Sequence, residues 1–254
     1  MKLQNLPKIV ITLSVLFFTT LISKSQTGAL QFLNMQNRNS LNESVPVILE
    51  YNIISTEKDG KERTSNVMVS KKGGKYLLEF TAPGDMKGTR FLSLDTNHSY
   101  IYLPAFGRVR RIVSNTVTQG FIGMAMSSGD LTLISHIGEY YDSTKLIKFD
   151  NSETEIELRP KPGVWAPYGK INLTIRNSPS VPLSLDCFDS NGLFVKTILY
   201  KDYVNEKDIQ IAGECRVIDF LNGTITKMIV VSRKINLPIS DDIFNKANLS
   251  APPQ

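Results

Sequence analysis

The side chains with the widest catalytic range in this 254-residue chain are two cysteines and two histidines, and none stands in a known catalytic motif. His98 belongs to a turn-like stretch after Asp95, and His136 follows an apolar run, so both are interpreted as structural residues rather than general bases. The sequence contains no Gly-x-Ser-x-Gly elbow, no His-Glu-x-x-His helix and no phosphate-binding glycine-rich loop. We therefore expect no enzyme activity and no cofactor, and the cysteine and histidine spacing predicts no metal site.

Cys187 and Cys215 are the only cysteines, and two interpretations of them stay open. In an oxidising compartment a single pair of cysteines is a possible disulfide. Cys187 alternates with Leu183 and Leu185, however, and this pattern favours a buried thiol that packs like a small apolar side chain.

Arg108, Arg110 and Arg111 form the densest basic cluster. If the segment is a strand, Arg108 and Arg110 lie on one face and Arg111 on the other. Two interpretations stay open. The cluster either contacts a lipid phosphate or an acidic partner at the rim of a binding site, or it forms a charged outer face. The other basic residues are scattered, so nothing in the sequence indicates nucleic-acid binding.

The first 25 residues have the pattern of a removable secretory signal peptide. Lys2 and Lys8 give a positive start, residues 9–22 are mostly apolar, and Ser23 and Ser25 are small residues where a signal peptidase reads the chain. The apolar run is short of the roughly 20 residues that a membrane-spanning helix needs. We therefore predict a signal peptide over residues 1–25 and a single mature domain over residues 26–254.

Most of the mature sequence consists of short runs rich in β-branched and aromatic residues. We identify thirteen such runs between Val47 and Lys234, and several alternate between polar and apolar residues, as in 154–159 and 170–176. Turn dipeptides that suit tight hairpins separate many of the runs. These dipeptides are Asp59-Gly60, Gly73-Gly74, Asn191-Gly192 and Asn222-Gly223. The pattern predicts a mainly β protein: a sandwich, a closed barrel or a half-open barrel.

Three stretches are predicted to be helical. Residues 27–40 carry an apolar stripe, and residues 114–126 form a segment rich in methionine and glycine. A short C-terminal piece begins at Ser240, a favourable N-cap followed by two aspartates that suit the positive end of a helix.

A dense set of motifs between residues 83 and 131 resembles one known family. Residues 83–89 read Pro-Gly-Asp-Met-Lys-Gly-Thr, residues 100–104 read Tyr-Ile-Tyr-Leu-Pro, and residues 108–111 read Arg-Val-Arg-Arg. Phe121 and Gly123 follow, and Asp130-Leu131 closes the block. In order and spacing the block resembles the outer-membrane lipoprotein-sorting proteins of the LolA/LolB-like superfamily. The chain departs from the pattern at Met124-Ala125-Met126, where polar or acidic residues are common in that branch.

The resemblance implies a mainly β (α+β) fold. It would be an incomplete, strongly curved antiparallel β-barrel of about 11 strands, with capping helices over a hydrophobic cavity for acyl chains. Residues 114–126 would serve as a lid, because methionine adapts to acyl chains of varied shape. The alternative is that its apolar residues are ordinary core. The predicted cavity-lining residues are Leu78, Phe80, Phe91, Tyr100, Tyr102, Phe121, Ile122, Met124, Met126 and Trp165.

The same resemblance predicts a periplasmic carrier that shuttles acyl chains of lipoproteins, or phospholipids, toward the outer membrane. Its partners would be these acyl chains, an inner-membrane transporter, an outer-membrane acceptor and, transiently, a membrane surface. Two other classes stay open: an accessory module of a membrane transporter without a carrier role, and a lipid-modifying enzyme.

Overall fold

The computed structural model of the chain describes residues 45–95, 98–112 and 123–251. The predicted signal peptide and the predicted helix 27–40 lie outside the described residues. Within the described ranges, no helix is both long enough and apolar enough to cross a membrane.

One antiparallel sheet of thirteen strands contains all the described strands. In spatial order it runs β6-β5-β4-β3-β2-β1-β13-β12-β11-β10-β9-β8-β7, so β6 and β7 are its two edges. The strands are β1 (Val47–Thr56), β2 (Glu62–Lys72), β3 (Lys75–Ala82), β4 (Arg90–Ser93), β5 (Ser99–Leu103), β6 (Arg108–Arg111), β7 (Tyr141–Phe149), β8 (Glu153–Pro160), β9 (Lys170–Arg176), β10 (Val181–Phe188), β11 (Phe194–Glu206), β12 (Ile209–Asp219) and β13 (Thr224–Ile235).

The count of thirteen corrects the value of about 11 expected for the fold and agrees with the number of runs found in the sequence. The predicted turn dipeptides all lie between paired strands, and their glycines have positive φ, as Gly60 does at 87° and Gly192 at 84°. Glycine reaches this conformation without steric cost, which explains why these pairs mark the hairpins so well.

The described residues contain one α-helix, α1 (Ser128–Tyr140), which comes between β6 and β7 in the chain and covers one face of the sheet. We call this the inner face and the opposite one the outer face. The prediction of a helix over 114–126 is wrong where it can be compared: residues 123–127 are turn and extended chain, and the helix begins at Ser128. Residues 113–122 lie outside the described residues.

The main core lies on the inner face and joins strands from both halves of the sheet. Leu78 and Phe91 of the first half belong to the same apolar cluster as Ile156 and Ile171 of the second half. Burial raises the pKa of Tyr140, just before edge strand β7, and the negative charges of Glu139 and Asp95 add to the rise. Because strands of both halves and α1 pack into one apolar cluster, the sheet curls round the helix toward a barrel, with β6 and β7 unpaired to each other.

The C-terminal segment, residues 236–251, returns along the outer face. Phe244 and Leu249 pack there against Leu77 and Leu92 of β3 and β4. The predicted helix start at Ser240 is found as a 3-10 helix, Asp241–Phe244, whose first turn is capped by the Ser240 hydroxyl accepting from the Asp242 amide at 3.2 Å.

Candidate functional site

The N-terminus of α1 is fixed by a capping box. The Ser127 hydroxyl accepts a hydrogen bond from the amide of Asp130 at 3.1 Å, and the Asp130 carboxylate accepts one from the amide of Ser127 at 2.7 Å. Each side chain thus satisfies an amide that has no partner within the helix. The box explains why α1 begins at Ser128.

Asp130 is also the centre of a fully buried polar network. One carboxylate oxygen accepts from the Lys196 ammonium at 2.7 Å and from the Ser127 hydroxyl at 2.8 Å. The other accepts from the Tyr168 hydroxyl at 2.5 Å. Lys196 lies on β11 and Tyr168 just before β9, so the network holds the start of α1 against the inner face of the sheet.

Two tyrosines extend this network to the end of α1. Tyr141 donates its hydroxyl hydrogen to the carbonyl oxygen of Tyr168 and accepts from the Tyr168 amide, both at 3.0 Å. Burial raises the pKa of Tyr168 well above its usual value, and the adjacent negative charge of Asp130 raises it further. The hydroxyls of Tyr141 and Tyr168 therefore stay neutral, and their hydrogen bonds support the helix from the side of the sheet.

The segment Met124-Ala125-Met126 lies directly before α1 and is buried against the middle of the sheet. The Ala125 amide donates to the Thr226 hydroxyl on β13 at 2.8 Å, and Thr226 lies 3.1 Å from the hydroxyl of Ser55 on β1. Gly123, with φ of 73°, begins the described part of this segment. We call residues 123–126 the methionine segment.

The inner-face cluster that contains the methionine segment also contains two phenylalanines and a leucine from the first half of the sheet. Phe80 and Phe91 are 0% exposed, and Leu78 is 1% exposed. A side chain with no exposure does not border a hollow wide enough for water, so in this conformation the inner face is closed at these positions. The structure brings together Leu78, Phe80, Phe91, Met124 and Met126 of the predicted lining set.

The other predicted lining residues lie elsewhere. Register places Tyr100 and Tyr102 on the outer face, because they flank Ile101, whose side chain contacts the inner core. There they pack with the C-terminal segment. Trp165 is 48% exposed in the loop between β8 and β9. Phe121 and Ile122 lie outside the described residues.

Arg108, Arg110 and Arg111 are all exposed on edge strand β6. Arg110 pairs with Ile101, so Arg108 and Arg110 lie on the inner-face side, while Arg111 lies on the outer side opposite Tyr100. The Arg110 guanidinium is 5.8 Å from the centre of the Phe106 ring. The two inward arginines thus stand at the open edge of the inner face.

Cys187 and Cys215 are free, and the disulfide considered from the sequence is not formed. Cys187 lies on β10 and Cys215 on β12, with β11 between them. Strands two apart in a sheet are separated by about 10 Å, which exceeds the Cα separation that a disulfide bridges. Both thiols pack instead against the inner core. Burial raises the pKa of the Cys215 thiol to about 12, so it is protonated and inert at neutral pH.

Sequence reasoning missed the roles of Lys196, Tyr168 and Ser127. The signal for Ser127 was present, since a serine three residues before an acidic residue marks a capping box. Lys196 and Tyr168 have no comparable signal, because their partner Asp130 is 66 and 38 residues away along the chain. Across the described residues, no group of three or more His, Cys, Asp or Glu side chains lies close enough to hold a metal ion.

Three solved structures share this architecture. An assigned outer-membrane lipoprotein-sorting protein domain of Vibrio parahaemolyticus is 21% identical, with a TM-score of 0.76 over 89% of this chain and 99% of that one. A DUF1329-family protein of Desulfovibrio piger is 20% identical, with a TM-score of 0.76 over 90% and 98%. A LolA-superfamily protein of Nitrosomonas europaea is 18% identical, with a TM-score of 0.70 over 86% and 98%.

A family model described as uncharacterized-protein-like matches residues 72–251. The chain belongs to this family and has the LolA-like fold. The resemblance carried by the motifs of residues 83–131 is therefore confirmed. No curated protein matches the sequence. The family description states no activity, and identities of 18–21% transfer the fold alone.

Proposed function

We propose that the protein is a periplasmic, non-enzymatic carrier that binds the acyl chains of lipoproteins or phospholipids and shuttles them toward the outer membrane. The observation that carries this proposal is the methionine segment, an apolar strip that packs in the inner-face core of a LolA-like sheet. The segment occupies the place where an acyl chain would lie in the carrier. Its side chains are apolar, as the acyl chain is.

The energetics favour exchange of the segment for a ligand. Burial of two methionine side chains contributes about 3–6 kcal/mol. An acyl chain of roughly ten methylene groups gains about 8 kcal/mol when it leaves water for an apolar site. The methionine segment keeps the empty carrier closed, and a bound chain displaces it.

The hydrogen bonds of the region divide it into a fixed part and a movable part. Asp130 and Lys196 anchor α1 through buried charge, whereas the Ala125–Thr226 bond is the polar tie between the strip and the sheet among the described contacts. Gly123 supplies a backbone conformation that other residues rarely adopt. The segment therefore opens as a lid while α1 stays in place.

Arg108 and Arg110, at the open edge of the inner face, have a contact role in the proposed carrier. Their exposed guanidinium groups contact an acidic partner or a lipid headgroup as the cargo enters or leaves. An inner-membrane transporter as donor, an outer-membrane acceptor and brief contact with a membrane surface are the partners that a carrier of this fold requires.

A reversible cross-link between lid and sheet tests the proposal. The variant Ala125→Cys/Thr226→Cys, in a background of Cys187→Ala and Cys215→Ala, joins the strip to β13 when it is oxidised. We expect uptake of a fluorescent fatty acid by the reduced variant and loss of uptake on oxidation, with recovery when reductant is added. Equal uptake by the two redox states of the same molecule would remove the lid from the mechanism.

A further inference from the structure

The inner face carries two cations far from the methionine segment. Lys71 lies on β2 opposite Val47 of β1, eight residues along β1 from Ser55, which borders the segment. At the rise of an extended strand this is about 26 Å. Arg233 lies on β13 opposite Leu49, and Leu49 shares a face with Tyr51 and Ile53. Both cations therefore project from the inner face near its far end.

Neither cation has a counter-charge among the described residues. The recorded contact of Lys71 is with the ring of Tyr76, whose centre lies 5.5 Å from the ammonium. The Nε of Arg233 is buried and has no hydrogen-bond acceptor. Burial lowers the pKa of Lys71 to about 8, with no carboxylate nearby to oppose the shift.

Two tyrosines, Tyr51 and Tyr76, stand beside these cations, and a third, Tyr200, lies opposite Cys215 on the neighbouring strand. Burial raises the pKa of Tyr51, the adjacent Cys215 adds to the rise, and the charge of Arg233 opposes it, so Arg233 is close to this ring. Tyr76 and Tyr200 also have strongly raised pKa values, through burial first and then through neighbours that include Cys215. Cys215 is therefore a shared neighbour of the three phenols.

The hydroxyls of these tyrosines differ from those under α1. Tyr141 donates to a carbonyl oxygen and Tyr168 to a carboxylate oxygen. Tyr51, Tyr76 and Tyr200 make no hydrogen bond to another described residue, and Tyr51 and Tyr200 remain only half-buried. Their hydroxyl groups are therefore free to donate to an acceptor that a ligand brings.

We propose that Lys71 and Arg233, with the surrounding tyrosines, form a site for the oxyanion headgroup, phosphate or carboxylate, of an amphiphile. The inference rests on the proposed carrier function and deepens it. The headgroup accepts hydrogen bonds from the two cations, and the acyl chain runs along the inner face toward the methionine segment. The cargo class is thereby an anionic amphiphile rather than a neutral one.

The stability of variants that lack one cation distinguishes a ligand site from a structural role of the two cations. An enclosed cation without a partner lowers the stability of the fold, whereas a structural cation raises it. We expect Lys71→Met and Arg233→Met to unfold at the same urea concentration as the wild type or at a higher one. A clear fall in both midpoints would overturn the assignment, because these cations would then be part of the scaffold.

Binding of matched amphiphiles tests the headgroup assignment directly. Dodecyl phosphate, dodecyl maltoside and inorganic phosphate are titrated into the full mature protein, each below its micelle concentration, with heat as the readout. We expect dodecyl phosphate to bind more tightly than dodecyl maltoside. Lys71→Met or Arg233→Met should weaken dodecyl phosphate binding about tenfold or more, since each removes a charge-assisted hydrogen bond. Dodecyl maltoside binding should stay unchanged.

Lys234→Met is the matched control, because it removes the same charge from the next residue, which is exposed on the other face. Equal affinity for the two dodecyl amphiphiles, unaffected by the variants, would overturn the headgroup site and leave the carrier function intact. Binding of inorganic phosphate alone, lost in the variants and not improved by a dodecyl chain, would support an oxyanion site and contradict the carrier. Binding of none of the three would contradict both.

Discussion

Asp130 and Lys196 illustrate how a single buried ion pair positions the candidate site. The desolvation of two charges offsets much of their attraction, so the pair adds little net stability. Removal of one partner is strongly destabilising, because the other charge then stays buried without a counter-charge beside an apolar core. Its role is to fix the start of α1 on β11. It thereby also fixes the end of the methionine segment that joins the helix.

Lys196→Met tests this role at the residue scale. The variant leaves the Asp130 carboxylate buried with only the Ser127 and Tyr168 donors, and we expect the free energy of unfolding to fall by about 3–5 kcal/mol. The measurement is urea unfolding followed by circular dichroism.

Arg159→Met is the control for that comparison. Arg159 forms a 2.9 Å ion pair with Glu157 on the outer face, but its side chain is half exposed. We expect a loss of less than about 1 kcal/mol, as for other solvated pairs. If the two variants lost equal stability, the buried network would have no special part in holding α1.

At the scale of the elements, the sequence predicted strands far better than helices. Strand runs were visible because alternation and turn dipeptides act within ten residues, and the hairpins of β1–β2 and β10–β11 appear where expected. Helix α1 was not predicted, because its position depends on a salt bridge to β11, a contact that no local pattern reveals.

The candidate site was predictable only in part, for a similar reason. Phe80 and Phe91 follow from strand alternation together with the family motifs, and they do lie on the inner face. Tyr100 and Tyr102 were assigned to the wrong face, because a shift of one residue in register reverses every side chain of a strand. Lys71 and Arg233 gave no signal, since only the folded sheet shows that no carboxylate of the described residues pairs with them.

The C-terminal segment is an element whose contribution can be measured alone. Phe244 is buried on the outer face against Leu77 and Leu92, and Arg90 donates to the carbonyl oxygens of Leu249 and Ala251. We expect Phe244→Ala to lower the free energy of unfolding by about 3–5 kcal/mol through the cavity it leaves. Urea unfolding measures the loss.

Ligand binding provides the counter-check for Phe244→Ala. The segment lies on the face opposite the methionine segment, so fatty-acid uptake by the folded variant should equal that of the wild type. Loss of uptake at temperatures where the variant is fully folded would show that the two faces are coupled.

At the scale of the whole molecule, exposed apolar side chains gather at one end of the sheet. The loops β8–β9, β10–β11 and β12–β13 lie side by side there, and Lys170 stacks on Phe188 at 3.6 Å. Aromatic and leucine side chains at loop tips, with lysine beside them, suit the interface of a membrane. The exposed residues of this end are Val164, Trp165, Leu193, Phe194, Phe220 and Leu221.

Trp165 makes the predicted membrane contact measurable, because it is the only tryptophan of the chain. We expect its emission to shift to shorter wavelength on addition of phosphatidylglycerol vesicles, and Phe194→Asp to reduce this shift. Phe149→Asp is the control, since Phe149 is 69% exposed at the opposite end of the sheet. A shift that is absent in the wild type, or equally reduced in both variants, would contradict contact through this end.

Native mass spectrometry of the mature protein, purified from periplasm without detergent, tests the central claim most directly. The account predicts a bound amphiphile near one per chain, released on denaturation and identifiable as an anionic lipid or acylated peptide after extraction. It also predicts that Met124→Glu, once shown to be folded, retains none. A protein of bare mass that takes up neither offered phospholipid nor lipopeptide would contradict the carrier function.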